Sequence, residues 1–194
     1  MKVAIIFHSV CGNTFLMAKG FKKAFKKLGI DVSIYRSEDI DLSKWGQIFP
    51  TAQQSYKELS QIPIVRPEIF EQNDLIVLGS PTYFGNVSAE MKTVMDSTSI
   101  YWMNAGLAGK KLAVFTSCSS SLGGADLCLH SMITFGQHMG MFHIPLPSNL
   151  IPNQSVNAYG IVHFSGPLAD SRPDAELNKV IEIYSKYLVE IEGH

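Results

Sequence analysis

Apolar positions along the chain fall into two alternating patterns. Residues 3–7 form a continuous apolar run, which is typical of a strand buried on both faces of a parallel sheet. After a polar turn, apolar residues recur at helical spacing from Met17 to Leu28, and lysines occupy the opposite face. Gly29 ends this helix, and a second strand follows over residues 30–35. The start of the chain therefore predicts a strand–helix–strand unit.

The same alternation continues to the carboxyl terminus. Further strands are predicted over residues 74–79, 111–115 and 141–144, and further helices over residues 87–95 and 126–137. A last helix begins with Ser171, Pro173 and Asp174, a capping-box spacing with proline in the first turn. Residues 37–73 show only a short helix near residues 53–59, and residues 146–170 are expected to form a long ordered loop. The pattern over residues 1–194 thus predicts one α/β domain, in which helices cover both faces of a parallel sheet.

Composition narrows the class of protein. The chain is 46% hydrophobic and 17% charged with a net charge of −1, as in a globular protein, and it lacks the basic excess of a nucleic-acid-binding protein. Its three cysteines form no CxxC pair, and the apolar run at the amino terminus is too short for a signal peptide. No run approaches the ~20 apolar residues of a membrane span. We therefore expect a cytoplasmic protein with reduced thiols.

Three polar turns follow predicted strand ends. They are the first turn (Ser9–Thr14), the second turn (Pro81–Asn86) and the third turn (Ser117–Gly124). In an open doubly wound sheet, ligands bind beyond the carboxyl ends of the strands, so the turns are expected to meet. None of them contains Asp, Glu, Lys or Arg. This favours a cradle of backbone N–H groups and neutral donors over a metal site or an acid–base pair.

The first turn leads from a strand into the start of a helix, where free N–H groups and the helix dipole favour an anion. A plain helix cap with no ligand is the alternative. The turn is neither a Walker loop nor a GxGxxG fingerprint. A phosphatase loop with Cys11 as nucleophile usually has Arg six residues further on, where this chain has Met17.

Two of these turns carry a family resemblance. The first turn resembles the phosphate loop of flavodoxins, and residues 79–92 resemble the G-[ST]-P-T-x-F-G-N segment of the tetrameric NAD(P)H:quinone oxidoreductases first described as Trp-repressor-binding (WrbA-type) proteins. Shorter matches follow in order through Asp96, Trp102, Gly123-Gly124 and residues 171–173. The resemblance implies a three-layer doubly wound flavodoxin-like fold with a five-stranded parallel sheet in the order 2-1-3-4-5.

The resemblance also implies flavin mononucleotide (FMN) as cofactor. By match, the phosphate loop is Ser9, Val10, Cys11, Gly12, Asn13 and Thr14. One edge of the flavin ring would meet Pro81, Thr82, Tyr83, Phe84, Gly85 and Asn86, and the opposite edge Ser117, Cys118, Ser119, Ser120, Gly123 and Gly124. Trp102, which in the family reaches into a neighbouring subunit, and His138 would bind substrate.

Three positions depart from the family pattern. Ala125-Asp126 replaces the usual Gln-Glu, and Tyr83 replaces a basic residue. Met139 stands where the family has a flavin-contacting histidine, and this chain has His138 one position earlier. These departures bear on the acceptor and on the choice between NADH and NADPH.

The activity implied is reduction of quinones or similar flat acceptors. NAD(P)H would pass a hydride to the flavin and leave before the acceptor occupies the same face, which gives ping-pong kinetics. A homo-oligomer, dimer or tetramer, is expected. The alternatives are another FMN reductase acting on azo, nitro or flavin substrates, a one-electron flavodoxin-type carrier, and a flavin-binding protein without catalysis. Electron carriers of this kind are usually strongly acidic, unlike this chain.

Overall fold

The computed structural model describes residues 1–152 and 155–191. Its strands are β1 (Lys2–Phe7), β2 (Asp31–Arg36), β3 (Leu75–Pro81), β4 (Lys111–Cys118), β5 (Phe142–His143) and β6 (Ile161–Phe164). Its helices are α1 (Asn13–Lys27), α2 (Leu42–Ile48), α3 (Pro50–Leu59), α4 (Glu68–Glu71), α5 (Ala89–Ser97), α6 (Ser99–Trp102), α7 (Ala125–His138) and α8 (Ala175–Glu190). A 3₁₀ turn covers Ser148–Leu150.

The sheet is parallel and has the expected order β2-β1-β3-β4-β5, with β6 as an addition. β5 pairs with the start of β4 at Lys111 and Leu112, and β6 pairs with its end over residues 115–118. Both strands lie on the side of β4 away from β3, so they share the fifth position in the sheet. The prediction of a continuous loop over residues 146–170 is therefore wrong at β6, which is too short for a periodic signal.

Two apolar layers cover the sheet because successive strand residues point to opposite faces. In β1, Val3, Ile5 and Phe7 pack into the cluster that contains α1 and α8. Ala4 and Ile6 pack into the cluster that contains α5 and α7. This explains why the strands are apolar at nearly every position and confirms helices on both faces.

Several element boundaries differ from the predictions. β4 runs three residues further than expected because its end pairs with both β3 and β6, so Ser117 and Cys118 belong to the strand. The cap of α8 is Asp174, whose carboxylate accepts a hydrogen bond from the Leu177 N–H, and not Ser171. Leu28, expected on the apolar face of α1, is 39% exposed because α1 ends one residue earlier. Within the described residues, no helix is long and apolar enough to cross a membrane.

Candidate functional site

Ser117 joins all three turns at the carboxyl edge of the sheet. Its hydroxyl lies 2.8 Å from the hydroxyl of Thr14 in the first turn, and this hydrogen bond is buried. Its backbone carbonyl accepts a 2.8 Å hydrogen bond from the N–H of Thr82 in the second turn. The turns are adjacent because β1, β3 and β4 are neighbours in the sheet and end at the same edge.

The second and third turns also touch further out, through two glycines. A Cβ built on Gly124 would lie 2.9 Å from the Cα of Gly85, which is closer than real Cβ contacts allow. Both residues have positive φ, +81° at Gly124 and +74° at Gly85. Glycine is therefore required at Gly124 for its conformation and for the close approach of the two backbones.

The first turn presents a row of unpaired backbone donors. Within the described residues, the N–H groups of residues 10–14 have no hydrogen-bond acceptor. The polar side chains instead organise the turn: the Ser9 hydroxyl accepts from the Phe15 N–H at 3.3 Å, and the Asn13 amide donates to the Ala169 carbonyl at 2.8 Å. The expected side-chain donor Asn13 thus holds a neighbouring loop, and the N–H groups at the start of α1 are the donors left free for an anion.

Two residues at the first turn were missed by the sequence reasoning. Ser55 of α3 sits against Gly12, where its Oγ would be 2.0 Å from a Cβ on that glycine. Arg172 reaches the same turn from the loop before α8 and donates to the Cys11 carbonyl at 2.6 Å. The sequence predicted a short helix around Ser55 but gave no sign that this residue reaches the first turn. Arg172 was noted only as part of the family match at residues 171–173.

The second turn is a tight two-residue turn. Tyr83 and Asn86 exchange backbone hydrogen bonds of 2.9 Å, and both central residues, Phe84 and Gly85, have positive φ. This is the type I′ arrangement, which is costly for a phenylalanine. The Phe84 side chain is fully exposed at the tip, and the N–H groups of Phe84 and Gly85 have no acceptor within the described residues. The turn therefore offers an aromatic face and two donors to a flat ligand.

The third turn adds further donors. Within the described residues, the N–H groups of residues 119–122 have no acceptor. Cys118 is buried beneath the turn, and a Cβ on Gly123 would meet its sulfur at 2.4 Å. Cys128, in the first turns of α7, is also buried, and burial raises the pKa of its thiol. The two thiols thus fill space under the third turn.

A charged cluster lies behind the first and second turns. The buried ring of His8 has Nε2 3.4 Å from Asp39 and Nδ1 3.6 Å from Glu90. Burial alone would raise the pKa of Asp39, but hydrogen bonds from His8 and the Asp41 N–H outweigh it and lower that pKa. Burial and the nearby Cys11, Glu90 and Asp39 raise the pKa of Tyr83 to about 12, so this phenol stays neutral.

Trp102 and His138 do not lie at the turns of their own chain. His138 is the last residue of α7, whose first residue follows the third turn; at ~1.5 Å per residue the ends of this 14-residue helix are about 20 Å apart. Trp102 ends α6, beyond the far end of α5, and its side chain is 64% exposed.

A cavity of about 1060 Å³ adjoins the third turn on the side of β6 and α8. Its lining includes Ser121, Leu122, Gly124, His163 and Arg172. Residues of the first and second turns do not line it, so the cavity lies beside the third turn and not between the three turns.

The arrangement fits a phosphorylated flat heterocycle. The first turn offers a run of free N–H groups to a phosphate, and the second and third turns offer free N–H groups and an exposed aromatic ring beside it. This sheet order with donor-rich turns at its carboxyl edge defines the flavodoxin-like class.

Comparison with known proteins identifies the family. Residues 1–155 match the NADPH-dependent FMN reductase family, and the chain belongs to it. It is 31% identical over 187 residues to an NAD(P)H dehydrogenase (quinone) of Archaeoglobus fulgidus, covering 95% of this chain and 98% of the relative. It is 34% identical over 152 residues to a protein of the same name from Aromatoleum aromaticum, covering 76% and 71%.

Solved structures share the fold. A WrbA-like flavodoxin from Agrobacterium tumefaciens superposes with a TM-score of 0.66 at 16% identity, over 98% of this chain and 96% of that one. Oxidised flavodoxin 1 from Bacillus cereus gives a TM-score of 0.64 at 19% identity, over 98% of each chain. The flavodoxin-like fold expected from the sequence is confirmed.

Proposed function

We propose that this protein is an FMN-dependent NAD(P)H:quinone oxidoreductase. The observation that carries the proposal is the meeting of three uncharged, donor-rich turns through Ser117. The relatives that match most of the chain are named NAD(P)H dehydrogenase (quinone), and the family is that of NADPH-dependent FMN reductases. A quinone is a flat acceptor of the kind that such a site accommodates.

Each of the three turns binds a different part of FMN. The N–H groups of the first turn (Ser9–Thr14) hold the phosphate, helped by the positive end of the α1 dipole. The second turn (Pro81–Asn86) and the third turn (Ser117–Gly124) bind opposite edges of the ring through their free N–H groups. When bound, FMN supplies the atom that accepts a hydride from NAD(P)H and passes it to the acceptor.

The protein's own side chains orient the reactants and take no covalent part. Cys118 and Cys128 are buried, and the raised pKa of Cys128 keeps that thiol neutral. The neutral phenol of Tyr83 leaves the second turn without a charge at the place where the family often has a basic residue. The exposed ring of Phe84 is available to stack on a flat reactant.

Oligomerisation completes the site in this proposal. Trp102 and His138 lie far from the turns of their own chain, so they bind substrate only in a homo-oligomer, as a dimer or tetramer. The exposure of Trp102, Ile100 (62%) and Met103 (83%) supports a subunit contact there. A cytoplasmic location, suggested by three unpaired cysteines, is part of the same proposal.

Steady-state oxidation of NADPH and NADH tests the activity. Purified protein loaded with FMN should oxidise at least one of them rapidly when benzoquinone is present and slowly when it is absent. Double-reciprocal plots at several quinone concentrations should be parallel, as in ping-pong kinetics. Turnover with azo dyes, nitroaromatics or free flavin but not with quinones would make the protein another kind of FMN reductase. No turnover with any acceptor would contradict the enzymatic proposal.

A further inference from the structure

Arg172 binds the first turn from a distant part of the sequence. Its Nη1 donates to the Cys11 carbonyl at 2.6 Å and to Asn13 Oδ1 at 3.0 Å. Its Nη2 donates to the Thr51 carbonyl at 3.1 Å and to Gln54 Oε1 at 3.3 Å. One guanidinium thus joins the first turn, which contains no charged residue, to the first half of α3.

The bond to the Cys11 carbonyl fixes the direction of a neighbouring donor. A trans peptide is planar, and its C=O and N–H point in opposite directions. Because Arg172 holds the Cys11 carbonyl, the N–H of Gly12 in the same peptide must point away from the guanidinium. Gly12 has φ +92°, and with no Cβ it would allow this peptide to turn if the carbonyl were released.

The bonds to α3 extend the same constraint. Ser55 lies against Gly12 so closely that its Oγ would be 2.0 Å from a Cβ there. Arg172 binds Thr51 and Gln54, which stand four residues and one residue before Ser55 in the same helix. Holding α3 therefore also holds Ser55 against the first turn.

We propose that Arg172 is a positioning residue that presets the first turn for the phosphate of FMN by orienting the Cys11–Gly12 peptide and fixing α3 against it. This inference rests on the proposed function, since it concerns the same phosphate site. Preset donors bind a ligand more tightly because less conformational freedom is lost on binding. The effect is specific to ligands that carry a phosphate.

The test compares two flavins on flavin-stripped full-length protein. FMN and riboflavin share the ring and ribityl chain, but riboflavin lacks the phosphate. Quenching of flavin fluorescence gives the dissociation constant of each for wild type, Arg172→Gln and Arg172→Lys. Arg66→Gln is the matched control, because Arg66 is an exposed arginine just before α4, and within the described residues its side chain makes no hydrogen bond to the first turn.

Arg172→Gln should weaken FMN binding by about tenfold to a hundredfold, the range expected on losing charge-assisted hydrogen bonds, and leave riboflavin binding nearly unchanged. Arg172→Lys should restore little of this loss, because an ammonium cannot span the turn and α3 as the planar guanidinium does. Arg66→Gln should bind both flavins like wild type.

Three results would contradict the account, and they distinguish an error about Arg172 from an error about FMN binding. If Arg172→Gln binds FMN as tightly as wild type, or loses both flavins equally, the inference is wrong while FMN binding stands. If Arg172→Lys restores full FMN affinity, Arg172 acts by charge alone and positioning is refuted. If wild type binds neither flavin, the proposed function itself fails.

Discussion

The hydroxyl of Thr14 lies 2.8 Å from that of Ser117, which is 103 residues away in the sequence. The bond is buried and joins the start of α1 to the end of β4. It places the free N–H groups of the first turn beside the strand end from which the third turn departs. The first and third turns are thereby held next to each other.

Thr14→Asp should expel FMN, because a carboxylate would stand next to the cofactor's phosphate. Flavin retained after purification should fall to a small fraction of the wild-type amount, and Thr14→Ser, which keeps the hydroxyl, should retain most of it. If the first turn is only a helix cap, the acidic residue would suit the start of α1 and leave flavin content unchanged. That second result would show that the phosphate binds elsewhere.

Gly124→Ala should separate the second and third turns. The new methyl group would collide with Gly85, and we expect the affinity for FMN and riboflavin to fall together by about tenfold or more, or at least 1.4 kcal/mol. Fluorescence titration with both flavins measures this change.

Gly109→Ala is a close control for this substitution. Gly109 has the same φ of +81°, but a Cβ there would meet nothing within 4 Å. Both variants should lose about 1–2 kcal/mol of stability from the left-handed conformation. Equal flavin affinities in the two variants would mean that the contact between the turns does not shape the site.

The pairing of His8 with Asp39 predicts a pH-dependent stability. The pKa of Asp39 is lowered in the folded protein, so its contribution to stability is complete above the ordinary carboxyl pKa of 3.8 and is lost as the pH falls through the folded value. Asp39→Asn should therefore destabilise the protein by about 1–3 kcal/mol at pH 7, and less in acid.

Urea unfolding across the acid range tests this prediction. Asp31→Asn serves as control, because Asp31 is exposed at the start of β2 and its substitution should change stability little at any pH. A wild-type minus Asp39→Asn difference that stays constant throughout the acid titration would contradict the assignment.

Trp102→Ala should raise the KM for quinone by about fivefold or more without changing the affinity for FMN. The substitution would remove an aromatic contact with quinone that a neighbouring subunit supplies and that contributes more than ~1 kcal/mol. Phe142→Ala is the control, since Phe142 is an aromatic residue of the same exposure, 64%, and pairs with the start of β4, at the edge of the sheet opposite the turns. When the Trp102→Ala and Thr14→Asp proteins are mixed, hybrid oligomers should regain activity. In such a hybrid the Trp102→Ala subunit binds FMN and the Thr14→Asp subunit supplies Trp102. An unchanged KM, or a monomer in solution, would exclude Trp102 from the site.

The sequence was informative where local patterns decide the structure. The strands are buried on both faces, so β1 and β3 appear as apolar runs close to their true bounds. The meeting of the three turns followed from parallel topology alone. β6 could not be found in this way, because four residues within a polar segment give no period, and their pairing with β4 depends on tertiary contacts.

The missed parts of the site depend on contacts between distant segments. Arg172 binds Cys11 across 161 residues, and no spacing rule reports such a contact. Ser55 lies in a segment whose pattern predicted only a short helix. His138 was expected at the site through the family match, yet it ends α7 far from the third turn, because the match gives a sequence position and not a distance.

The most direct test of FMN binding is the absorption spectrum of the purified full-length protein, with the released cofactor identified after denaturation. We predict visible flavin bands, one FMN per chain after saturation, and bleaching on addition of NADPH that benzoquinone reverses. A colourless protein that acquires no flavin bands when FMN is added would contradict the proposal that the three turns form a flavin site.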